Sequence, residues 1–414
     1  MGTTRTFQAM LNEYLPNELL KEEFVKRDYL LSKVEKDDSW LGGNLVVPFK
    51  AAGASSVAFG SLTGSTDIAE DSYVRGGVSG HKEVWGSMIF NHRDLMEHEQ
   101  ISEQNFLKIL PGTIEDFLDY MKNVVSVNLL NGAHFAKLTV DGDNTGVITV
   151  DRPDRFVIAQ KVYLKDDDSA LSAAAYVSAI NMNTKQVTLV TARAGAVAFD
   201  ASAYSLAQNG KVYNDGAQAN SFSSLRNALL SSANGGDSTL YGVTKTLYPY
   251  LQAINVDGTS VTAANIMEKI FDALTTIRQL GRGNPTDVVM SYKNLSSCIK
   301  RIEASKGAFN VVPNSQRASQ FGWTEVEIGS VAKGSLKLVG VQEADDDIVI
   351  FLDWRAVKFY SNGFFKRRRS PDGIEYFEQR ATSGYSYIVD MCLFGELIVQ
   401  RPSYCGIMYG ISYT

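Results

Sequence analysis

Apolar residues recur at helical spacing along residues 102–135. The apolar positions are Ile114, Phe117, Leu118, Met121, Val124, Val125 and Leu129. Charged and amide side chains fall between them, so the pattern predicts a helix with one buried face and one solvated face.

The ends of this helix carry their own signals. Pro111-Gly112 interrupts the pattern, and Thr113 with Asp116 has the spacing of a capping box. We therefore expect two helical pieces that meet at 111–112, the longer one beginning at Thr113. Gly132 stands where a residue with positive φ would end the helix.

The segments before this helix have a different character. A mixed-charge helix is predicted over 17–33, packed lightly on a larger body. Glycine, serine, alanine and threonine then dominate 42–91, with alternating patches at 55–59 and 82–90. This favours a long two-stranded excursion of about twenty residues per side, which could not be stable alone and would lie on a neighbouring subunit.

After the helix the apolar period changes from 3.6 to 2. Six short β-type runs separated by turn signals occupy 138–214, which predicts a small closed barrel or sandwich inserted into a larger domain. Helical patterns over 263–280 and 291–304 flank a short buried strand at 286–290, and this order predicts an α/β layer. The last 90 residues read mostly as strands.

Composition excludes several classes of protein. With 414 residues, 44% hydrophobic and 21% charged, the chain is long and apolar enough for two or three globular units. No run of eighteen apolar residues is present, which argues against a membrane span. A net charge of −6 argues against a dedicated nucleic-acid binder. Three cysteines without CxxC spacing are expected to be reduced core residues.

Motifs for catalysis or metal binding are weak. The segment 141–146 imitates the start of a calcium loop, but Arg152 stands where that loop needs a bidentate Glu. His92 and His98 are six residues apart, which places them on different helix faces. With four histidines and no convergent nucleophile, base and orienting group, we predict no enzyme, no cofactor and no metal site.

Charge runs occur at three places. The acidic runs 166–168 and 345–347 lie between β patterns, so we expect solvated turns. The basic cluster consists of Lys366, Arg367, Arg368 and Arg369. It is a candidate for contact with a partner's acidic patch or with DNA phosphates, and the alternative is a solvated loop.

The linear order of these parts resembles the major capsid protein of tailed bacteriophages, whose fold is shared with herpesvirus capsid shells. An arm, a Gly/Ser-rich β excursion, a long helix, an inserted β module, an α/β layer and a β-rich return follow one another as in that family. Local phrases at 129–132, 284–290, 348–354 and 395–399 are also similar to it.

The resemblance implies an α+β fold with named parts. They are an N-terminal arm (1–43), an extended β-hairpin loop (44–91), a peripheral domain with a spine helix (92–137), an inserted β domain (138–214), an axial domain (215–345) and a C-terminal β return to the peripheral domain (346–414). In the extended loop, the candidate inter-subunit contacts are Asp67, Glu70, Arg75, His81, Lys82 and Trp85. A bend of the spine near Pro111 would let one sequence adjust to pentamer and hexamer positions.

The function implied is structural. Hexamers and pentamers would form an icosahedral shell of a virion around double-stranded DNA, without sequence-specific binding, assembled in the host cytoplasm and away from membranes. Portal, scaffolding and decoration proteins would be the further partners, with a separate scaffolding protein and no cleavage of the N-terminal segment. Two alternatives stay open: an encapsulin-like nanocompartment that holds cargo protein, and a carbohydrate-active enzyme with a β module.

Overall fold

The structure is a computed structural model in which helices and strands are mixed, and it confirms the predicted α+β class. It describes residues 7–40, 43–50, 73–78, 80, 82–97, 100–101, 103–167, 170–193, 195, 197–205, 207, 209–304, 311–313, 325–328, 336–362, 365–369, 372–381 and 384–412.

The helices are α1 (Phe7–Tyr14), α2 (Asn17–Arg27), α3 (Tyr29–Lys33), α4 (His92–Leu95), α5 (Glu103–Asn131), α6 (Ala217–Asn220), α7 (Leu225–Leu229), α8 (Ile266–Thr276) and α9 (Tyr292–Ala304). The strands of the first half are β1 (Glu35–Asp37), β2 (Leu45–Lys50), β3 (Tyr73–Val78), β4 (Lys82–Asn91), β5 (Met96–Glu97), β6 (Gln100–Ile101), β7 (His134–Lys137), β8 (Val147–Thr149), β9 (Lys161–Lys165), β10 (Ala175–Asn181), β11 (Gln186–Val190) and β12 (Lys211–Asn214). Those of the second half are β13 (Thr239–Leu240), β14 (Val243–Thr244), β15 (Ile254–Asp257), β16 (Asp287–Met290), β17 (Val311–Pro313), β18 (Glu325–Ile328), β19 (Leu336–Gly340), β20 (Ile348–Leu352), β21 (Val357–Tyr360), β22 (Phe365–Arg367), β23 (Phe377–Ala381), β24 (Gly384–Val399) and β25 (Gly406–Tyr409).

The long helix α5 is unbroken over 29 residues, about 43 Å at 1.5 Å per residue. Pro111 lies inside it, and the Thr113 hydroxyl donates to the Ile109 carbonyl at 3.1 Å. The expected break and capping box are therefore wrong, because buried side chains on both sides of Pro111 hold the two halves against one core. Gly132, with φ of 111°, ends the helix as predicted, and its N–H donates to Asn128.

The N-terminal helices are buried, which corrects the expectation of light packing. The ring of Phe7 stacks on Tyr387 with centroids 4.5 Å apart, and Phe24 stacks on Phe365 at 5.0 Å. Met10 and Leu11 have no exposed surface at all. Because both helices lay apolar faces on the β24 sheet, the mixed charges of 17–33 lie on their outer faces, except for the buried Asp28.

The first sheet is built around β24, a strand of 16 residues. The sequence pattern predicts two strands here, at 385–393 and 396–401, and the structure joins them into one. On one side β24 pairs with β4 along its full length, from Lys82↔Gly395 to Asn91↔Ser386. β22 and β23 pair with β24 opposite β4, and β21 pairs with its last four residues, 396–399.

The predicted excursion is divided between two places. Six residues of β2 pair antiparallel with six of β3, from Leu45↔Val78 to Lys50↔Tyr73, and this forms a hairpin. Residues 82–91 instead belong to the β24 sheet, which corrects the expected hairpin of twenty residues per side. The alternating apolar pattern of β4 is used to cover α5, and not to pair with 44–50.

Strands from 134 to 214 form a separate antiparallel sheet in the order β7-β12-β9-β10-β11-β8. A bridge between Leu138 and Val150 joins its first and last strands, and Thr139 donates to Thr149 at 2.9 Å. Alternate residues such as Val162 and Leu164 point inward into their own apolar cluster. We call this unit the barrel. Its entry and exit strands, β7 and β12, are neighbours.

A mixed seven-stranded sheet, β15-β25-β20-β16-β19-β18-β17, forms the third unit. The predicted helix, strand and helix are α8, β16 and α9, and both helices pack on one face of this sheet. Alternate residues of β16 point to opposite sides: Val288 and Met290 face the helices, whereas Val289 joins the cluster around α5. Two strands of the expected C-terminal return, β20 and β25, lie in this sheet, while β21–β24 lie in the first.

Candidate functional site

The β2–β3 hairpin is anchored at one face and open at the other. Phe49 is fully buried, and its ring stacks on Tyr241 with centroids 5.7 Å apart. Gly76 lies directly over that ring, since a Cβ there would come within 2.4 Å of it. Val46 and Tyr73 are 58% and 57% exposed on the opposite face. The hairpin thus shows an apolar surface that its own described residues leave uncovered.

The candidate contact residues of the extended loop fall into two groups. Asp67, Glu70 and His81 lie outside the described residues. Arg75 is exposed on β3, whereas Lys82 and Trp85 lie on β4 in the β24 sheet.

Trp85 lies at the edge of an outward row on β4. It is 47% exposed, and Ile89, on the same side of the strand, is 52% exposed. The guanidinium of Arg368 lies 5.5 Å from the Trp85 ring centroid, and the indole N–H donates to Glu83 at 3.0 Å. Lys82 donates to the carbonyl of Ala219 at 3.1 Å. This row combines exposed apolar area with fixed orientation, as an interface residue requires.

The basic cluster is divided by burial. Arg367 is almost fully buried and lies 2.8 Å from the carboxylate of Glu375, which also pairs with Arg369. A buried guanidinium that is paired within its own chain cannot meet DNA phosphate, so Arg367 is removed from the candidate DNA-facing set. Lys366, Arg368 and Arg369 remain exposed.

A buried ionic cluster lies where α5, the barrel and the seven-stranded sheet meet, and sequence reasoning missed it. Asp345, 2% exposed, is its centre. Four basic or imidazole groups surround its carboxylate: His134 at 3.2 Å, Lys137 at 3.2 Å, Arg155 at 3.0 Å and Arg226 at 3.3 Å. We call these five residues the Asp345 cluster. The expected solvated turn at 345–347 is wrong at this position.

Backbone contacts fix the geometry of the cluster. Asn131, the last residue of α5, accepts from the N–H of Asp345 at 3.1 Å and donates to the Glu343 carbonyl at 2.7 Å. Arg155 donates to the Phe135 carbonyl at 2.8 Å and to the Glu343 carbonyl at 2.7 Å. The loop between β19 and β20 of the seven-stranded sheet is thereby bound to the end of α5 and to the barrel.

The electrostatics of the cluster favour structure over catalysis. Burial opposes ionisation of Asp345, but Lys137, His134 and Arg155 hold the pKa of its carboxyl well below the usual range. Burial lowers the pKa of His134 to about 4, so the imidazole is neutral at pH 7. The neutral His134 is hydrogen-bonded to Asp345, whose carboxylate already has partners on all sides. The cluster contains no nucleophile that this histidine could activate.

The signal for this cluster was present only in part. The run IVIFLDW marked a buried strand directly after the acidic residues 345–347. Nothing in the pattern, however, indicated that positions 134, 155 and 226 converge on it, since those residues are separated by as many as 211 positions in sequence.

Other candidates are ordinary structural features. Cys298, Cys392 and Cys405 are buried free thiols, and burial raises the pKa of Cys298 and of Cys405 to about 12. In 141–146, the Asp143 carboxylate accepts from the N–H of Thr145 in a turn. The described part of the chain holds no group of three or more His, Cys, Asp or Glu arranged for a metal ion. Within the same ranges, no helix is long and apolar enough to cross a bilayer.

Comparison with known proteins gave matches to solved structures alone. No family model matches the chain, and no curated protein matches it in sequence. Among the solved structures, the Cyanophage A-1(L) capsid is 10% identical, over 99% of this chain and 97% of that chain, with a TM-score of 0.44. The Gordonia phage Cozz structure is 10% identical over 91% and 84%, with a TM-score of 0.42. The SrpI encapsulin complex from Synechococcus elongatus is 10% identical over 100% and 94%, with a TM-score of 0.38.

Proposed function

We propose that this protein is a structural shell subunit, the major capsid protein of a tailed bacteriophage. In this proposal, copies of the chain assemble as hexamers and pentamers into an icosahedral shell around double-stranded DNA. Scaffolding and portal proteins are its further partners, and the virion is its final location.

The observation that carries the proposal is the β2–β3 hairpin. One face of the hairpin, with Phe49 and Gly76, packs on Tyr241. On the other face, Val46 and Tyr73 expose apolar surface. Two strands of six residues are not stable by themselves. A neighbouring copy that covers this face would bury the exposed area and join the subunits.

The row on β4 gives a second surface for the same purpose. Trp85 and Ile89 are exposed on the same side of a strand that β24 holds along ten residue pairs. Several contacts of ordinary size, each of about 1,600 Å² or less, hold a shell firmly because each subunit makes many at once.

Electron microscopy of the purified full-length chain tests the proposal. Closed particles tens of nanometres wide are expected when the chain is produced alone or with its scaffolding partner. A protein that stays monomeric at all concentrations and under both conditions would contradict the shell function.

The contents of the particles separate the shell classes. Nuclease-protected double-stranded DNA in particles purified from the natural source supports the capsid assignment. A cargo enzyme in place of DNA would overturn that assignment and establish a nanocompartment.

A further inference from the structure

A cavity of about 470 Å³ lies beside the Asp345 cluster, between the barrel, α7 and the end of α5. Basic and amide side chains dominate its lining, with Lys137, Lys211, Arg226, Asn227 and Asn234 among them. We propose that this cavity binds a phosphate-class oxyanion, with Lys211 as its principal cationic ligand.

The first argument is a row of like charges on the outside of the barrel. In the strand register, Lys211 of β12 stands directly opposite Lys137 of β7 on one side and Lys165 of β9 on the other. Side chains at these positions point away from the barrel interior, because Val212 and Leu164 occupy the inward positions. Like charges placed opposite each other repel, so a sheet tolerates such a row only when counter-charges compensate it.

Direct ion pairing within the described residues reaches Lys137 but not Lys211. The Lys137 ammonium pairs with Asp345 at 3.2 Å and with Asp347 at 3.0 Å. Lys211 has no ion pair and no side-chain hydrogen bond to any residue of the described ranges. It is half-buried. Lys137 and Arg226, the other described cations of the cavity lining, are both paired with carboxylates, whereas Lys211 is not.

The two described carboxylates that act on Lys211, Asp347 and Asp167, are paired or hydrogen-bonded to other residues. Asp347 is held by Arg226 at 2.8 Å and by Lys137 at 3.0 Å. Asp167 is exposed and accepts from the Asn209 amide at 2.6 Å. Burial, Lys137 and Arg226 lower the pKa of Lys211, while Asp167 and Asp347 oppose the shift. An anion in the cavity would oppose the lowering of the Lys211 pKa by burial, Lys137 and Arg226.

Neutral donors complete the site. The side-chain amides of Asn227 and Asn234 line the cavity and have no hydrogen-bond partner among the described residues. Gly235 also lines it, and nothing lies within 4 Å of where its Cβ would be, which leaves room for a ligand to approach the backbone there. Two amides and one ammonium around a cavity of this size match the donors that a phosphate group accepts.

Binding is tested with the full-length protein and the variant Lys211→Gln. Thermal unfolding is followed in chloride, in inorganic phosphate and in pyrophosphate at matched ionic strength. In the wild type, phosphate or pyrophosphate should raise the melting temperature in a saturable way, because a ligand of the folded state stabilises it. Lys211→Gln should weaken the apparent affinity at least tenfold.

Two further variants separate binding from folding. Lys165→Gln removes a charge from the same row but lies outside the cavity, so its response should equal that of the wild type. Lys211→Arg keeps the charge and should retain most of the response. Both variants, like Lys211→Gln, should melt in chloride within a few degrees of the wild type, since each substitution leaves the inward barrel residues unchanged.

The source of the phosphate is decided by a parallel titration with a short DNA duplex. A Lys211-dependent response to phosphate or pyrophosphate supports a free anion as ligand. A Lys211-dependent response to the duplex alone supports a phosphodiester as the source of the same chemistry. The inference is overturned if none of the three ligands (phosphate, pyrophosphate and the duplex) stabilises the protein beyond chloride, or if Lys211→Gln responds as the wild type does.

Discussion

At the scale of single residues, the main feature is a set of buried charged side chains that hold parts of the fold together. Asp345 is nearly inaccessible, yet it stays ionised because Lys137, Arg155 and Arg226 surround it. Arg155 is itself 1% exposed, so each partner depends on the other for its compensation. The Asp345 cluster therefore joins three units of the molecule through one carboxylate.

Replacing this carboxylate should be severe. Asp345→Ala leaves the buried Arg155 guanidinium without its counter-charge, and breaking a buried pair in this way costs about 3–5 kcal/mol. We expect the urea midpoint to fall accordingly. The neighbouring Asp346→Asn is the matched control, because the Asp346 side chain makes no ion pair within the described ranges. Equal midpoints for the two variants would contradict the role given to Asp345.

Glu396 makes the stability depend on pH. Burial raises the pKa of its carboxyl to about 7, against hydrogen bonds from Ser223 that lower it. Because the folded pKa lies above the unfolded value, the folded state binds the proton more tightly. The stability that protonated Glu396 contributes to the folded state is fully present below about pH 4.5 and is lost as the pH rises through 7.

The variant Glu396→Gln tests this directly. It removes the ionising group and keeps an acceptor for the Ser223 N–H. Relative to the wild type, the variant should gain roughly 3 kcal/mol of stability between pH 5 and pH 8, measured by urea unfolding at both values. The exposed Glu115→Gln should show no such gain. A stability difference that is equal at both pH values would refute the assignment.

At the scale of elements, α5 and β4 approach closely because Gly86 has no side chain. A Cβ at Gly86 would lie 2.4 Å from the sulfur of Met121 and 2.8 Å from the ring of Phe117. The helix can therefore rest on the strand at this point. Its continuity through Pro111 follows from this support, since packing outweighs the single hydrogen bond that proline removes.

This contact predicts a contrast between two glycines. Gly86→Ala should destabilise the protein by about 1–3 kcal/mol, because Met121 and Phe117 must move out of well-packed positions. Gly77→Ala should be tolerated, since nothing lies within 4 Å of the added methyl. Thermal unfolding of both variants measures the contrast. Similar melting temperatures would show that helix and strand are not tightly apposed there.

At the scale of the whole molecule, the buried apolar side chains of the described residues form three clusters. The largest holds the N-terminal helices, α5, the β24 sheet and one face of the seven-stranded sheet. A second lies under α8 and α9, and the third fills the barrel. The β2–β3 hairpin contributes Phe49 and Val47 to the first cluster, and Val46 and Tyr73 are exposed on its other face.

The connection between β2 and β3 should matter for assembly alone. Replacing residues 51–72 by Asn-Gly keeps the six residue pairs of the hairpin and the Phe49 anchor. The variant should remain folded by circular dichroism but fail to close shells in electron microscopy, because a subunit contact is lost.

A Gly/Ser linker of the original length is the control for that replacement. It keeps the reach of the loop and removes its side chains, so it separates the two contributions. Normal particles from the Asn-Gly variant would contradict the assignment of 51–72 to subunit contacts.

The amino-acid sequence by itself determined the elements whose signals are local. Periods of 3.6 and 2 located α5, β16, α8, α9 and the barrel strands other than β7, because burial on one face imposes these spacings on any chain. The strand β7 lies before position 138, where the insert was predicted to begin. Gly132 was recognisable as a helix end since positive φ is cheap for glycine.

Only the tertiary structure decided which elements meet. The pairing of β4 with β24, the contacts of Arg367 with Asn12 and Asn17, and the convergence on Asp345 join positions that lie far apart in sequence, several of them by hundreds of residues. A charged residue in a short run has the same local pattern whether it is solvated or buried against a counter-charge. Its environment is set by distant partners, and those contacts leave no periodic trace along the chain.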